Sequence, residues 1–132
     1  MGYLDFHYGQ PVYKLENDQI KIFTTIQNAC VLPYFRISKE KEVCPYWIAP
    51  WWKDRLYDDG STISSTLRGN FFCMERKGLK GYEHGRCANS PWEIIDEAIT
   101  EEKKVMALRF VDPDGGSIEK KLEIRENDMT IY

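Results

Sequence analysis

Apolar and polar positions alternate with period two through much of the chain. In residues 19–27 this alternation puts Ile20, Ile22 and Ile26 on one face, which predicts a half-buried strand. Residues 29–38 are more continuously apolar, as in a strand covered on both sides, and Pro33 predicts a bulge or an edge there. Residues 66–74 predict another strand, in which Gly69 would mark a bulge or the close approach of a ligand.

The last third of the chain shows the same period. Residues 103–112 and 117–126 alternate on either side of a Pro-Asp-Gly-Gly turn at 113–116, which predicts a hairpin. Residues 91–100 fit a capped helix, with Ser90 as N-cap and Glu93 at N3, and they also fit a strand with Trp92 and Ile94 on one face. Because their neighbours are strands, we expect a strand. The whole pattern predicts one all-β domain over residues 1–132, an antiparallel β-sandwich.

An aromatic segment breaks this pattern at about residues 45–65, where two prolines and three tryptophans predict a long ordered loop. Trp47, Trp51 and Trp52 suit a platform on which the C–H face of a sugar stacks while its hydroxyls reach polar groups. They suit core packing equally well, and the sequence alone leaves both open.

Composition argues against several classes of function. The chain has 132 residues, a net charge of −3 and a pI near 5.4, which argues against nucleic-acid binding. The first residues resemble neither a signal peptide nor a myristoylation site, and no apolar run reaches the length of a membrane span. We therefore expect a cytoplasmic protein with no membrane partner.

The four cysteines form no Cys-x-x-Cys pair, which favours buried thiols over a metal site. His84 and Cys87 are close enough to share a metal, but structural zinc sites show more tightly paired ligands. We expect no metal and no cofactor.

Two short polar groups are candidates for ligand binding. Arg68 and Asn70 flank Gly69, and an arginine fork and an amide at a strand interruption can both bind hydroxyl groups. His84 precedes Gly85 in a turn, where an imidazole can exchange hydrogen bonds with a hydroxyl or transfer a proton. Each has a plain structural alternative, a surface arginine beside a bulge or a histidine that caps a turn.

The order in which short motifs occur along the chain is also informative. The stretches APWW, LRGNFFCM, HGRCANSPWEI, VMALRFV, GGSIEKKLEIREND and MTIY resemble, in that order, the N-terminal half of the galactose mutarotase-like superfamily. That superfamily includes aldose 1-epimerases and hexose-6-phosphate epimerases, and the resemblance covers about residues 19–132. It implies that the sandwich is the N-terminal part of a β-supersandwich. It also implies that Arg68 and His84 face the sugar pocket and bind its hydroxyls. With the candidates taken from the residues themselves, the expected substrate-binding residues are Arg68, His84, Asn70, Trp51 and Trp52.

The resemblance implies an isomerase of carbohydrate metabolism, an aldose 1-epimerase that opens and recloses a sugar ring by acid–base chemistry. The family's catalytic glutamate and second histidine belong to its later half, so no catalytic residue is assigned here. We expect a carbohydrate-binding, aldose 1-epimerase-like protein whose ligand is a monosaccharide or sugar phosphate. The alternatives are a non-catalytic carbohydrate-binding module, a module that self-associates into a homo-oligomer through an open sheet edge, or a truncated remnant.

Overall fold

Strands in two antiparallel sheets make up most of the structure, a computed structural model that describes residues 3–53, 63–74 and 84–132. The first sheet, in chain order, comprises β1 (Tyr3–His7), β2 (Gln10–Glu16), β3 (Ile20–Thr25), β4 (Val31–Ser38) and β5 (Lys41–Val43). The second, also in chain order, comprises β6 (Glu93–Ile99), β7 (Lys103–Val111) and β8 (Ser117–Arg125). Helix in the described residues is limited to α1 (Ile63–Thr66) and two 3-10 turns, Pro50–Lys53 and Cys87–Asn89. The all-β antiparallel sandwich predicted from the sequence is confirmed.

The main hydrophobic core lies between the two sheets. Met106, Leu108 and Phe110 of β7 alternate with more exposed neighbours and point inward, as the pleat requires. Ile20 and Ile22 of β3 meet them from the first sheet, and all five side chains are almost completely closed to solvent. Burial of these side chains stabilises the sandwich by about 1.5–3 kcal/mol for each large one.

Trp92, just before β6, joins the two sheets. Its backbone N–H donates to the carbonyl oxygen of Ile26 at 2.8 Å, and its indole N–H donates to that of Cys87 at 2.8 Å. Pro91 beside it forms an isolated antiparallel bridge with Gln27. The second sheet therefore starts from a fixed point on the first.

Most of the predicted strands are present. The strands expected at 19–27, 29–38, 91–100, 103–112 and 117–126 are β3, β4, β6, β7 and β8, with ends within two residues of the prediction. The described part of the aromatic loop, residues 45–53, contains one of the 3-10 turns, and residues 54–62 lie outside the described ranges. None of the helices described is long and apolar enough to cross a membrane.

The strand predicted at residues 66–74 is wrong. Residues 63–66 form α1, after which Arg68 and Asn70 make only isolated bridges, the first with Ile48 and the second with Val31. Gly69 between them has φ of +59°, and a Cβ built on it would lie 2.0 Å from the carbonyl oxygen of Val31. The close approach that requires this glycine is made by the backbone of β4, and its left-handed conformation prevents a continuous strand.

The outer side of β4 changes partner near Pro33. Asn70 pairs with Val31 at the start of β4, and β5 pairs from Phe35 onward. Pro33 lies between these two pairings, where β4 has an edge, as its missing N–H predicts.

Candidate functional site

Arg68 is a fully buried arginine whose side chain is turned to the backbone. Its Nε donates to the carbonyl oxygen of Thr66 at 2.9 Å, its Nη1 to that of His7 at 2.5 Å and its Nη2 to that of Tyr8 at 3.0 Å. Burial lowers the pKa of Arg68 from its ordinary value. Because Gly9 and Tyr8 form the tight turn between β1 and β2, with φ of 76° and 47°, Arg68 fixes that turn in place.

His7 also belongs to this region, although nothing in the sequence predicted a role for it. Its Nε2 lies 2.7 Å from the hydroxyl oxygen of Tyr34, and its ring stacks on Phe23 at 4.5 Å between centroids. Burial, helped by the charges of Arg68 and Lys21, lowers the pKa of His7 to about 4, so the imidazole is neutral at pH 7. No local pattern could have identified it, because alternation in residues 3–7 would bury Phe6, which is exposed, and leave His7 outside.

A group of aromatic rings adjoins Arg68, three of them exposed and that of Trp52 half-buried; we call Tyr8, Trp47, Trp51 and Trp52 the aromatic shelf. Tyr8 meets Trp52 edge to face at 5.1 Å, and Trp47 meets Trp51 edge to face at 5.8 Å. The Trp47 carbonyl accepts the backbone N–H of Gly69 at 2.9 Å. Trp47 is 57% exposed and Trp51 40% exposed, so indole surface is open to solvent.

The shelf is attached to the buried part of the fold at two points. The Tyr8 carbonyl is bound by Arg68, and the Trp47 carbonyl is bound by Gly69. Lys53 places its Nζ 5.6 Å from the centroid of the Trp52 ring, which brings a positive charge to the shelf. Exposed rings on a fixed backbone with a nearby cation suit a polyhydroxylated ligand with an apolar face.

Asn70 borders a cleft that none of the four shelf residues lines. This cleft, of about 360 Å³, lies between β4 and β8, and Tyr46, Val31 and Lys120 also line it. Its side chain is exposed, so its amide is open to a ligand there.

His84 lies beside Phe71, with ring centroids 5.4 Å apart, and its carbonyl accepts the backbone N–H of Met74 at 3.2 Å. His84 has φ of 63° and Gly85 has φ of 87°, so the predicted turn is sharp at both residues. The imidazole is exposed. Arg68 is linked to Trp52 through Tyr8, whereas His84 contacts Phe71 and Asn70 pairs with Val31.

Another cleft, about 600 Å³, lies elsewhere, beside Trp92 and the ends of β6 and β7. Its two arginines are engaged: Arg86 pairs with Asp112 at 3.1 Å and with Asp114 at 2.6 Å, and Arg109 pairs with Glu119 at 2.6 Å. Because carboxylates already neutralise these cations, this cleft offers less to an anionic ligand than its arginines alone would indicate.

A solved structure has a fold similar to that of this chain. The chain is similar to the crystal structure of a protein described as a "putative mutarotase" (YeaD) from Salmonella typhimurium, with a TM-score of 0.59 and 14% sequence identity. The match covers 95% of this chain and 46% of that one, so the chain spans about half of its length. No protein-family model matches the sequence, and no curated protein matches it. The structure of this chain is a partial mutarotase-like β-fold.

Proposed function

We propose that this chain is a carbohydrate-binding, aldose 1-epimerase-like protein whose ligand is a monosaccharide or sugar phosphate. The observation that carries the proposal is the aromatic shelf, a group of exposed and half-buried rings held by hydrogen bonds from Arg68 and Gly69 within a mutarotase-like fold. Trp51 and Trp52 are its sugar-stacking residues, since the C–H face of a pyranose packs on an indole ring.

Arg68 acts in this proposal by holding the shelf. At least three of its five N–H donors are taken by carbonyl oxygens, including that of Tyr8, whose ring contacts Trp52. Lys53 beside Trp52 favours an anionic substituent on the sugar, which is why sugar phosphates belong to the ligand class.

His84 and Asn70 are proposed as further sugar-binding residues that lie outside the shelf itself. Both side chains are exposed and carry groups that exchange hydrogen bonds with hydroxyls. We also propose anomer interconversion as the reaction. It requires an acid and a base on opposite sides of the sugar, and no described residue is assigned to either role.

Tryptophan fluorescence tests the proposal. Galactose, glucose and their 6-phosphates are titrated to millimolar concentration, and we expect saturable quenching with at least one of them. Replacing Trp51 by alanine should weaken that binding roughly fivefold, the effect of losing about 1 kcal/mol of ring contact. Phe6→Ala is the matched control, because Phe6 is an exposed ring on the face of β1 opposite to His7.

The same titration decides the roles of His84 and Asn70. H84Q and N70A should each weaken binding if these side chains contact the sugar, and polarimetry of freshly dissolved aldose measures anomer interconversion directly. Absence of saturable quenching with all four sugars, or equal losses in W51A and F6A, would contradict the proposal.

A further inference from the structure

Lys120 occupies an unusual place in β8. Ile118, Lys120, Leu122 and Ile124 alternate onto the face of β8 that packs against the core, and Leu122 and Ile124 are buried there. Lys120 pairs across the sheet with Leu108, which is completely buried. A lysine thus stands in a row where a leucine or methionine would satisfy packing alone.

The amine of Lys120 is drawn into the space between the sheets. Its Nζ donates to the carbonyl oxygen of Ala29 at 2.9 Å and lies 5.5 Å from the centroid of the Trp92 ring. An ammonium has three donors and needs water or further acceptors to satisfy them. Burial accordingly lowers the pKa of Lys120, which raises the share of neutral, nucleophilic amine near pH 7.

The same lysine lines the cleft between β4 and β8. The cleft, about 360 Å³, falls at the small end of ligand pockets, which span about 300–1,000 Å³. Val31, Pro33 and Leu122 give it an apolar wall, and Asn70 and Tyr46 contribute polar groups. A desolvated amine beside an amide and a phenol is a combination that suits a carbonyl compound bearing hydroxyl groups.

We propose that this cleft is a ligand site in which Lys120 forms a reversible imine with the aldehyde of a small hydroxylated compound, such as an open-chain aldose. The neutral Nζ attacks the carbonyl carbon and forms a carbinolamine. One amine proton moves to the carbonyl oxygen as the carbinolamine forms; the carbinolamine then loses that hydroxyl and the remaining N–H proton as one water, leaving a C=N bond, and hydrolysis reverses both steps. None of the four shelf residues lines the cleft, and Asn70 alone is shared with the proposed sugar-binding residues, so imine formation at Lys120 and sugar stacking on the shelf are tested separately.

Reductive trapping tests this site. The protein is incubated at pH 7 with glycolaldehyde and cyanoborohydride to low total labelling, and peptide mass mapping gives the rate at each lysine. Lys121 is the internal control: it also borders the cleft, but its side chain is 64% exposed, so the comparison isolates the effect of burying the amine. We expect Lys120 to be labelled at least about tenfold faster than Lys121.

Variants distinguish reaction in the cleft from the general reactivity of lysine side chains. K120R should remove the fast label and leave the label at Lys121 unchanged, and N70A should slow labelling at Lys120 while sparing Lys121. If K120R fails to fold, the ratio of the two lysines in the unaltered protein still decides. Labelling of Lys121 as fast as Lys120, or no label at Lys120, would overturn the proposal, whereas the fluorescence titration of the shelf reports on sugar binding separately.

Discussion

The sandwich core and the side chain of Arg68 are both buried, but different forces hold the two regions together. In the core, Leu108 and Ile124 are buried among other apolar side chains. Around Arg68, the buried groups are polar: a guanidinium binds the carbonyl oxygens of His7 and Tyr8, and the His7 ring meets the Tyr34 hydroxyl. We call Arg68, His7, Tyr8 and Tyr34 the Arg68 cluster.

Because different forces hold the two regions, mutations should affect their stability differently. An apolar core loses contact area in proportion to what is removed and can relax partly into the gap. A polar cluster loses hydrogen bonds and leaves buried carbonyl oxygens without a partner, which costs about 1–3 kcal/mol for each. The Arg68 cluster should therefore be the more sensitive of the two, and it carries the turn on which Tyr8 of the aromatic shelf stands.

The largest expected effect follows loss of the Arg68 guanidinium. R68L removes three hydrogen bonds to backbone carbonyls and should lower the free energy of unfolding by about 4 kcal/mol. L108A in the core should lower it by about 3 kcal/mol. Urea denaturation measures both.

Arg109 supplies the matched control for R68L, because its ion pair with Glu119 is exposed. R109L should change the free energy of unfolding by less than about 1 kcal/mol. If R68L is as mild as R109L, Arg68 does not hold its region together.

The next effect is a dependence of stability on pH that arises from His7. Its pKa falls from 6.5 to about 4 in the folded protein, so the proton binds the unfolded chain more tightly. The contribution of neutral His7 to stability is complete above pH 6.5 and is lost as the pH falls. At pH 4 the free energy of unfolding should be lower by about 3 kcal/mol for this reason. Urea midpoints from pH 7 to 4 should therefore fall more steeply in the unaltered protein than in H7F; parallel curves would contradict this account.

A smaller effect is expected at Gly69, where the Arg68 region meets β4. G69A should cost about 2 kcal/mol, since it combines a left-handed backbone with a Cβ against the Val31 carbonyl. Gly115 is the matched control: its φ is +102° and nothing lies within 4 Å of its Cβ position. G115A should therefore cost only the conformational part, about 1 kcal/mol. Thermal denaturation compares the two, and equal losses would mean that the contact with β4 is unimportant.

The smallest effect on stability should come from the shelf itself. Trp51 is 40% exposed, so W51A should change the free energy of unfolding by less than about 1 kcal/mol. A larger loss in urea denaturation would place Trp51 among the core residues and remove it as a stacking surface.

The same contrast explains what the sequence could and could not predict. Alternation of apolar positions identified β3, β7 and β8, because each buries one face and the period of a strand is two. It failed at residues 66–74, where Arg68 and Asn70 look like strand positions but pair with different partners on either side of Gly69.

The candidate residues show the same limit. The sequence marked Arg68 as notable, but only the fold shows that its partners are carbonyl oxygens some sixty positions away, at His7 and Tyr8. A hydrogen bond to a distant backbone leaves no trace in local composition. Trp51 and Trp52 could equally have been core residues, and the choice depended on packing that no periodicity reports.

Mapping a bound sugar by NMR tests the central claim, that the aromatic shelf held by Arg68 is a carbohydrate surface. The ¹⁵N–¹H spectrum is recorded during titration with galactose, glucose and their 6-phosphates. The account predicts that the largest shifts fall on the indole N–H groups of Trp51 and Trp52 and on the amide of Tyr8. Shifts confined to the cleft beside Trp92, or no shifts at millimolar sugar, would contradict it.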